Sequence, residues 1–182
     1  MKHIGKVFLG ILVLVLLAGC GSMKLTPTKK VEDLLSKYTS KDKGVMDQLE
    51  LTINEAGTMT DTQKENYRKL MENQYENLTY KIKEERIDGT NATVAVEIEV
   101  YDYGKAISAS EDYLTTHKEE FLDTTTNAID PYKFLDYKIK GMQDVKDKIK
   151  YTVNFTLTDK DNEWSIDDLS DTDRLKIHGL YY

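Results

Sequence analysis

One cysteine and two prolines in 182 residues leave this chain with few devices that staple or interrupt a fold. A lone thiol, Cys20, excludes an intramolecular disulfide and a multi-cysteine metal site. Basic residues are outnumbered, 25 Lys and Arg against 32 Asp and Glu, giving a formal net charge of −7. No dense basic cluster offsets that balance, which excludes the polyanionic backbone of nucleic acid as a partner. Gly-rich phosphate loops, a Ser-His-Asp arrangement and internal repeats are all missing. The only long apolar run is VFLGILVLVLL, residues 7–17. A transmembrane helix needs roughly 20 such residues, so this run is too short to span a bilayer.

That run has the flanks of a secretory signal: Lys2, His3 and Lys6 before it, small residues Ala18 and Gly19 after it. The four residues Leu17-Ala18-Gly19-Cys20 resemble the lipobox of bacterial lipoproteins. The resemblance implies cleavage before Cys20 and a diacylglyceryl group on its sulfur, leaving no free thiol for catalysis or metal binding. Multiple acyl chains, at about 0.8 kcal/mol per buried CH₂, hold a protein where a single chain does not. The expected division is a signal peptide over 1–19, a lipidated cysteine and tether over 20–26, and one domain over 27–182. Losing Lys2 and Lys6 takes the net charge from −7 to −9. Anionic headgroups repel such a surface. The expected location is therefore the extracytoplasmic face of the cell membrane, with the lipid as the only membrane partner.

Within the domain, Thr26-Pro27 predicts a capped helix start, and Val31, Leu34, Leu35 and Tyr38 recur on one helical face. Lys41–Gly44 is read as a break, Val45, Met46, Leu49 and Ile53 as a second helix, and NEAGTMT as a loop. Thr60 with Gln63 forms a capping box opening a helix that turns Tyr67, Leu70, Met71 and Tyr75 inward. Alternation follows: Leu78, Tyr80 and Ile82, then Val94, Val96, Ile98 and Val100, two strands of a hairpin. Parity favours a three-residue loop, Asp88-Gly89-Thr90, which sets Tyr80 against Ile98 and Ile82 against Val96. A two-residue Asp88-Gly89 turn would bury Glu97.

Ser110 is read as the cap of a segment carrying Tyr113, Leu114, His117 and Phe121. Asp130-Pro131 opens another helix through Tyr132, Leu135, Ile139 and Met142. Ile149 to Leu157 alternate, and a turn at Lys160-Asp161 would pair Leu157 with Trp164 and Phe155 with Ile166. Leu175, Ile177 and Leu180 suggest a short final helix. The order of helices, hairpin, helices, hairpin predicts an α+β domain with a mostly antiparallel sheet packed on helices.

A lipobox, a short tether, the helix TPTKKVEDLLSKY and hairpins ending in NEWSIDDLS resemble small bacterial lipoproteins with an NTF2-like, ketosteroid-isomerase-type cone domain. The resemblance covers residues 27–170 and implies a curved sheet around a conical cavity. The stretch 104–147 is longer than the simplest pattern of that family and leaves sheet order open, with a cystatin-like sheet as the alternative.

Candidate chemistry is sparse. His117 and His178 have no shared carboxylate in the sequence, and His117 is read as a helix-face histidine before a general base. Asp159, Asp161 and Glu163 imitate the start of a calcium loop, but Trp164 and Ser170 stand where glycine and glutamate are needed. Asp167, Asp168, Asp171 and Asp173 are read as a solvated edge, with Asp168 opposite Val153 as the one inward carboxylate. Twelve tyrosines are the remaining oddity. Tyr38, Tyr67, Tyr75, Tyr80 and Tyr151 fall on inner faces and are read first as core packing with hydroxyls reaching polar partners. On the sharper reading, a pocket lined by amphipathic rings, Tyr38, Tyr67, Tyr80 and Tyr151 with Asp168 are candidate ligand contacts. No metal or cofactor is expected. The functional reading is a non-catalytic module binding a small ligand or an envelope protein, with homodimerisation through the sheet compatible. A cofactor-free isomerase or hydratase using Asp168 or His117 is the alternative.

Overall fold

The computed structural model describes residues 25–57 and 59–182. The residues expected to form a signal peptide and lipobox, Leu17, Ala18, Gly19 and Cys20 included, lie outside the described residues. The domain is α+β, as expected: six α-helices and one four-stranded antiparallel sheet.

Helix α1 (Pro27–Thr39) starts where the sequence says, with the Thr26 hydroxyl accepting from the Lys29 amide. It buries Val31, Leu35 and Tyr38. The break after it is shorter than expected. Lys41 takes a φ of +51°, and Asp42 caps α2 (Lys43–Glu55), so Lys43 and Gly44 are already helical. Helix α2 runs through Asn54 and Glu55, leaving residues 56–60 as the connection. The Thr60–Gln63 capping box opens α3 (Asp61–Asn77), whose inner face is Tyr67, Leu70, Met71, Gln74 and Tyr75.

Strands β1 (Thr79–Asp88) and β2 (Asn91–Tyr101) have the expected pairs Tyr80 with Ile98 and Ile82 with Val96. The odd residue sits elsewhere than expected. Asp88 pairs with Asn91, so the loop is only Gly89-Thr90, and Lys83 is a bulge between Ile82 and Glu84. Gly89 supplies a φ of +58° that this tight turn requires. Beyond the bulge, Glu85 lies opposite the inward Val94. At the rim of the sheet its carboxylate accepts from the Thr28 amide (2.8 Å) and hydroxyl (2.6 Å) at the start of α1. Helix α1 has no acid in its own first turn. Glu85 supplies the negative charge that a helix N-terminus favours.

Helix α4 (Tyr103–Thr116) begins directly after β2, with Asp102 as its cap. Ser110 is therefore mid-helix and buried, its hydroxyl donating to the Ala106 carbonyl at 2.7 Å. The first half of α4 escapes hydropathy reading because small residues make its contact: Ala106 and Ser110 face Gly141 closely. A 3₁₀ turn (Lys118–Phe121) follows. Asp130 caps α5 (Pro131–Gln143) through the amides of Tyr132 and Lys133.

Strand β3 (Lys148–Lys160) returns beside β2, so the long insertion leaves the sheet order at β1-β2-β3-β4. Strand β4 (Glu163–Ile166) pairs Leu157 with Ile166 and Asp159 with Trp164. The expected turn at Lys160-Asp161 is thus displaced to Asp161-Asn162, whose φ values of 52° and 68° mark a two-residue hairpin with both central residues left-handed. Sliding by two residues keeps the faces and changes the partners. Helix α6 (Asp171–Ile177) is capped by Ser170.

The inner face of the sheet, Val94, Val96, Ile98, Val100, Val153 and Phe155, is fully buried. It lies beneath α1 and α3. The other face is a solvated charge ladder in which Glu97 meets Lys83 and Lys150. One buried amide joins three elements. Gln74 Nε2 donates to the carbonyls of Tyr101 (3.1 Å) and His178 (2.9 Å), and its Oε1 accepts from the Tyr101 amide (2.9 Å). Gly179 follows at a φ of +68°, where any Cβ would collide with Gln74 and the Tyr101 carbonyl.

Replacing Gln74 with leucine keeps the volume and orphans three backbone groups, each costing about 1–3 kcal/mol when buried. Urea unfolding of Gln74→Leu is expected to show a loss of about 3 kcal/mol or more. A loss below about 1 kcal/mol would mean that water replaces the amide.

Candidate functional site

The start of α1 lies at one end of the sheet. Thr28 bonds to Glu85, and Lys30 Nζ pairs with Glu163 Oε1 at 2.7 Å, so the start of α1 lies beside both hairpin tips. The tips touch each other through the Asp159 amide and the Thr90 carbonyl (2.7 Å). Leu25 and Ile87 are exposed at this end.

The tyrosines singled out in the sequence belong mostly to the core. Tyr38 and Tyr67 are 2% and 3% exposed, too enclosed to offer surface to a ligand. Burial pushes both hydroxyls well above the ordinary tyrosine range. Tyr80 and Tyr151 are half-buried and flank Ile98 in one row across β1, β2 and β3. Tyr151 donates to the Tyr181 carbonyl at 3.2 Å, holding the C-terminal tail. Asp168 is exposed in the segment after β4 and pairs with no strand residue, contrary to its expected inward place opposite Val153. The register shift at the second hairpin ends β4 at Ile166, before that position is reached.

The histidines serve packing. His117 caps the end of α4 and lies flat on Tyr113, ring centroids 3.9 Å apart at 3°. Tyr113 stacks on Tyr137 in turn, with Phe121 edge-on to both, forming a second aromatic cluster under the 3₁₀ turn. His178 sits against Tyr38 and Tyr75, and its Nδ1 shares a 3.2 Å hydrogen bond with the Tyr75 hydroxyl. Burial, aided by the Arg174 charge, pushes this imidazole down to about 4. Neither histidine hydrogen-bonds a carboxylate among the described residues. Lys138, 3% exposed, lies over the Phe134 ring at 4.8 Å and 3.8 Å from Glu111 Oε1. Burial lowers its pKa, and it ties α5 to α4. Among the described residues, no three His, Cys, Asp or Glu side chains gather as metal ligands. No described helix is long and apolar enough to cross a membrane.

A groove of about 280 Å³ opens at the end of the sheet away from the hairpin tips. One wall is a stripe of α3 spaced at i, i+3, i+4 and i+7: Asn66, Lys69, Leu70 and Asn73. The other is Tyr101 and Tyr103 at the β2–α4 junction, with Gln143, Val145 and Lys146 from the connection leaving α5. Tyr103 is fixed by donating to the Leu70 carbonyl (3.3 Å) and accepting from Asn73 (3.4 Å), and its ring stacks on Tyr101. Two ammonium groups, three amides and no carboxylate line this opening. Sequence reading overlooked it because only the inner face of α3 was followed. The N-x-x-K-L-x-x-N spacing was the available signal. Comparison with protein-family models, curated proteins and solved structures finds no match.

His178 gives this molecule a defined acid response. Its folded pKa lies below the unfolded value of 6.5, so only the unfolded chain takes up this proton as pH falls from 6.5. Stability from this group is complete above pH 6.5, declines toward pH 4 and levels off below. At about 1.4 kcal/mol per unit over the interval from 6.5 to about 4, the loss reaches about 3 kcal/mol. Urea unfolding between pH 7 and 4 is expected to show this slope in the parent and a shallower one in His178→Gln. Parallel slopes would assign the acid response to other groups.

Proposed function

We propose that this chain is a lipid-anchored protein of the extracytoplasmic face of a bacterial membrane, whose domain is a non-catalytic binding module for a small ligand or an envelope partner. The observation that carries the reading is Leu17-Ala18-Gly19-Cys20 placed six residues before the Thr26 cap. Between Cys20 and Thr26 the chain extends at most about 20 Å. That length keeps the α1 start and the two hairpin tips close to the bilayer. Strand β2 then separates the tips from the groove by about 30 Å at roughly 3.3 Å per residue. The groove would be offered outward, clear of the headgroups.

The NTF2-like resemblance belongs to the same proposal, supported by a sheet with helices on its inner face. Binding is favoured over isomerase or hydratase chemistry because the inner sheet face carries packed apolar side chains, whereas Asp168 is exposed and His117 is stacked on Tyr113. A general base must reach the proton it removes. Neither group lines the groove.

Mass spectrometry of the membrane fraction is expected to find an N-terminal peptide beginning at Cys20 with diacylglyceryl mass added. The Cys20→Ser variant should lose that mass and leave the membrane pellet when its signal is processed or replaced. A mature chain beginning at another residue would overturn the anchor.

A further inference from the structure

We infer that the groove between α3 and the α5–β3 connection is a binding site for a small carboxylate ligand of about monosaccharide size. This deepens the binding-module reading and rests on it. In a chain of net charge −7, an opening with Lys69 and Lys146 and no lining carboxylate is a local exception. Lys69 is already engaged, its Nζ 3.1 Å from Glu65 Oε1. The side chains of Lys146, Asn66 and Gln143 make no hydrogen bond or ion pair among the described residues, although Asp144 and Asp147 neighbour Lys146 in sequence.

One free ammonium matches one carboxylate, and a charge-assisted hydrogen bond is stronger than a neutral one. The amides of Asn66 and Gln143 each offer donors and an acceptor, which suits hydroxyls on the body of the ligand. Leu70 and Val145 add apolar surface beneath. The volume of about 280 Å³ falls just below the range of drug-sized pockets. A sugar acid fits these demands. A long peptide or a lipid does not.

The test is an NMR titration of the full-length chain in detergent micelles, following the side-chain NH₂ signals of Asn66 and Gln143. Glucuronate, glucose and acetate are the probes. Glucuronate is expected to shift both signals saturably and to bind about two- to five-fold more tightly than glucose, the range of an exposed charge contact, and more tightly than acetate, which lacks the fitted body. Lys146→Gln, at an exposed position, should leave the fold intact and bring glucuronate down to the affinity of glucose. Glucose binding as tightly as glucuronate would overturn the carboxylate inference while leaving a binding groove. Acetate matching glucuronate would reduce the site to an ion contact and overturn the sugar-sized ligand. No saturable shift with any probe up to about 50 mM would remove the groove as a ligand site and leave the anchor, tested separately at Cys20, untouched.

Discussion

The fold closes on one glutamine. Gln74 presents its amide to the end of β2 as if it were another strand residue, accepting from the Tyr101 amide and donating to its carbonyl. Its second N–H reaches the His178 carbonyl, so the helix, the sheet end and the C-terminal tail meet at one side chain. The contact works only at close range. Gly179 and Gly104 lie where a Cβ would strike Gln74 or the Tyr181 carbonyl, and the Gly104 amide donates to the Gly179 carbonyl at 2.7 Å. A buried amide is worth this precision because each polar group it satisfies would otherwise be expensive to bury. His178 is consequently pressed between Tyr38 and Tyr75, and the low pKa of the ring follows from the clamp.

A second constraint acts through parity. Side chains alternate across a strand, so one extra residue must be absorbed somewhere or a buried face turns outward. Here Lys83 absorbs it inside β1 instead of at the loop. The consequence is local and useful. Beyond the bulge Glu85 turns toward the helix layer and meets the start of α1, joining sheet and helix at the hairpin-tip end. Lys83 itself turns to Glu97 on the solvated face.

Features governed by short-range rules were legible in the sequence. Thr26-Pro27, Thr60 with Gln63 and Asp130-Pro131 all act as caps, and the alternating strands appear with the right inward residues. Failures came where a residue's role depends on something distant. Ser110 has cap chemistry but lies mid-helix because Gly141 lets α5 approach. Asp161 and Asn162 won the second turn because both tolerate a left-handed backbone, which the parity rule does not see. Gln74 was unreadable, since nothing in a helical pattern says which glutamine is buried. The lipobox reading of Leu17-Ala18-Gly19-Cys20 falls outside the described residues.

The tyrosine excess is mostly core packing, as the inner-face positions suggested, and the reason is physical. A tyrosine carries a large apolar ring, so an inward position is explained by packing before any ligand is invoked. Tyr38, Tyr67 and Tyr75 fill the core, while Tyr103 spans from core to groove by holding the Leu70 carbonyl. The groove depends on residues that no composition argument would select: two asparagines, a glutamine and two lysines, ordinary surface residues taken singly. What distinguishes them is convergence from two segments onto one opening, with the nearby carboxylates placed outside it. That separates the molecule into two ends, one where Glu85 and Glu163 hold the start of α1, the other carrying uncommitted amides and an ammonium group. Titratable groups inside the protein, His178 and Lys138, are used to fasten elements together.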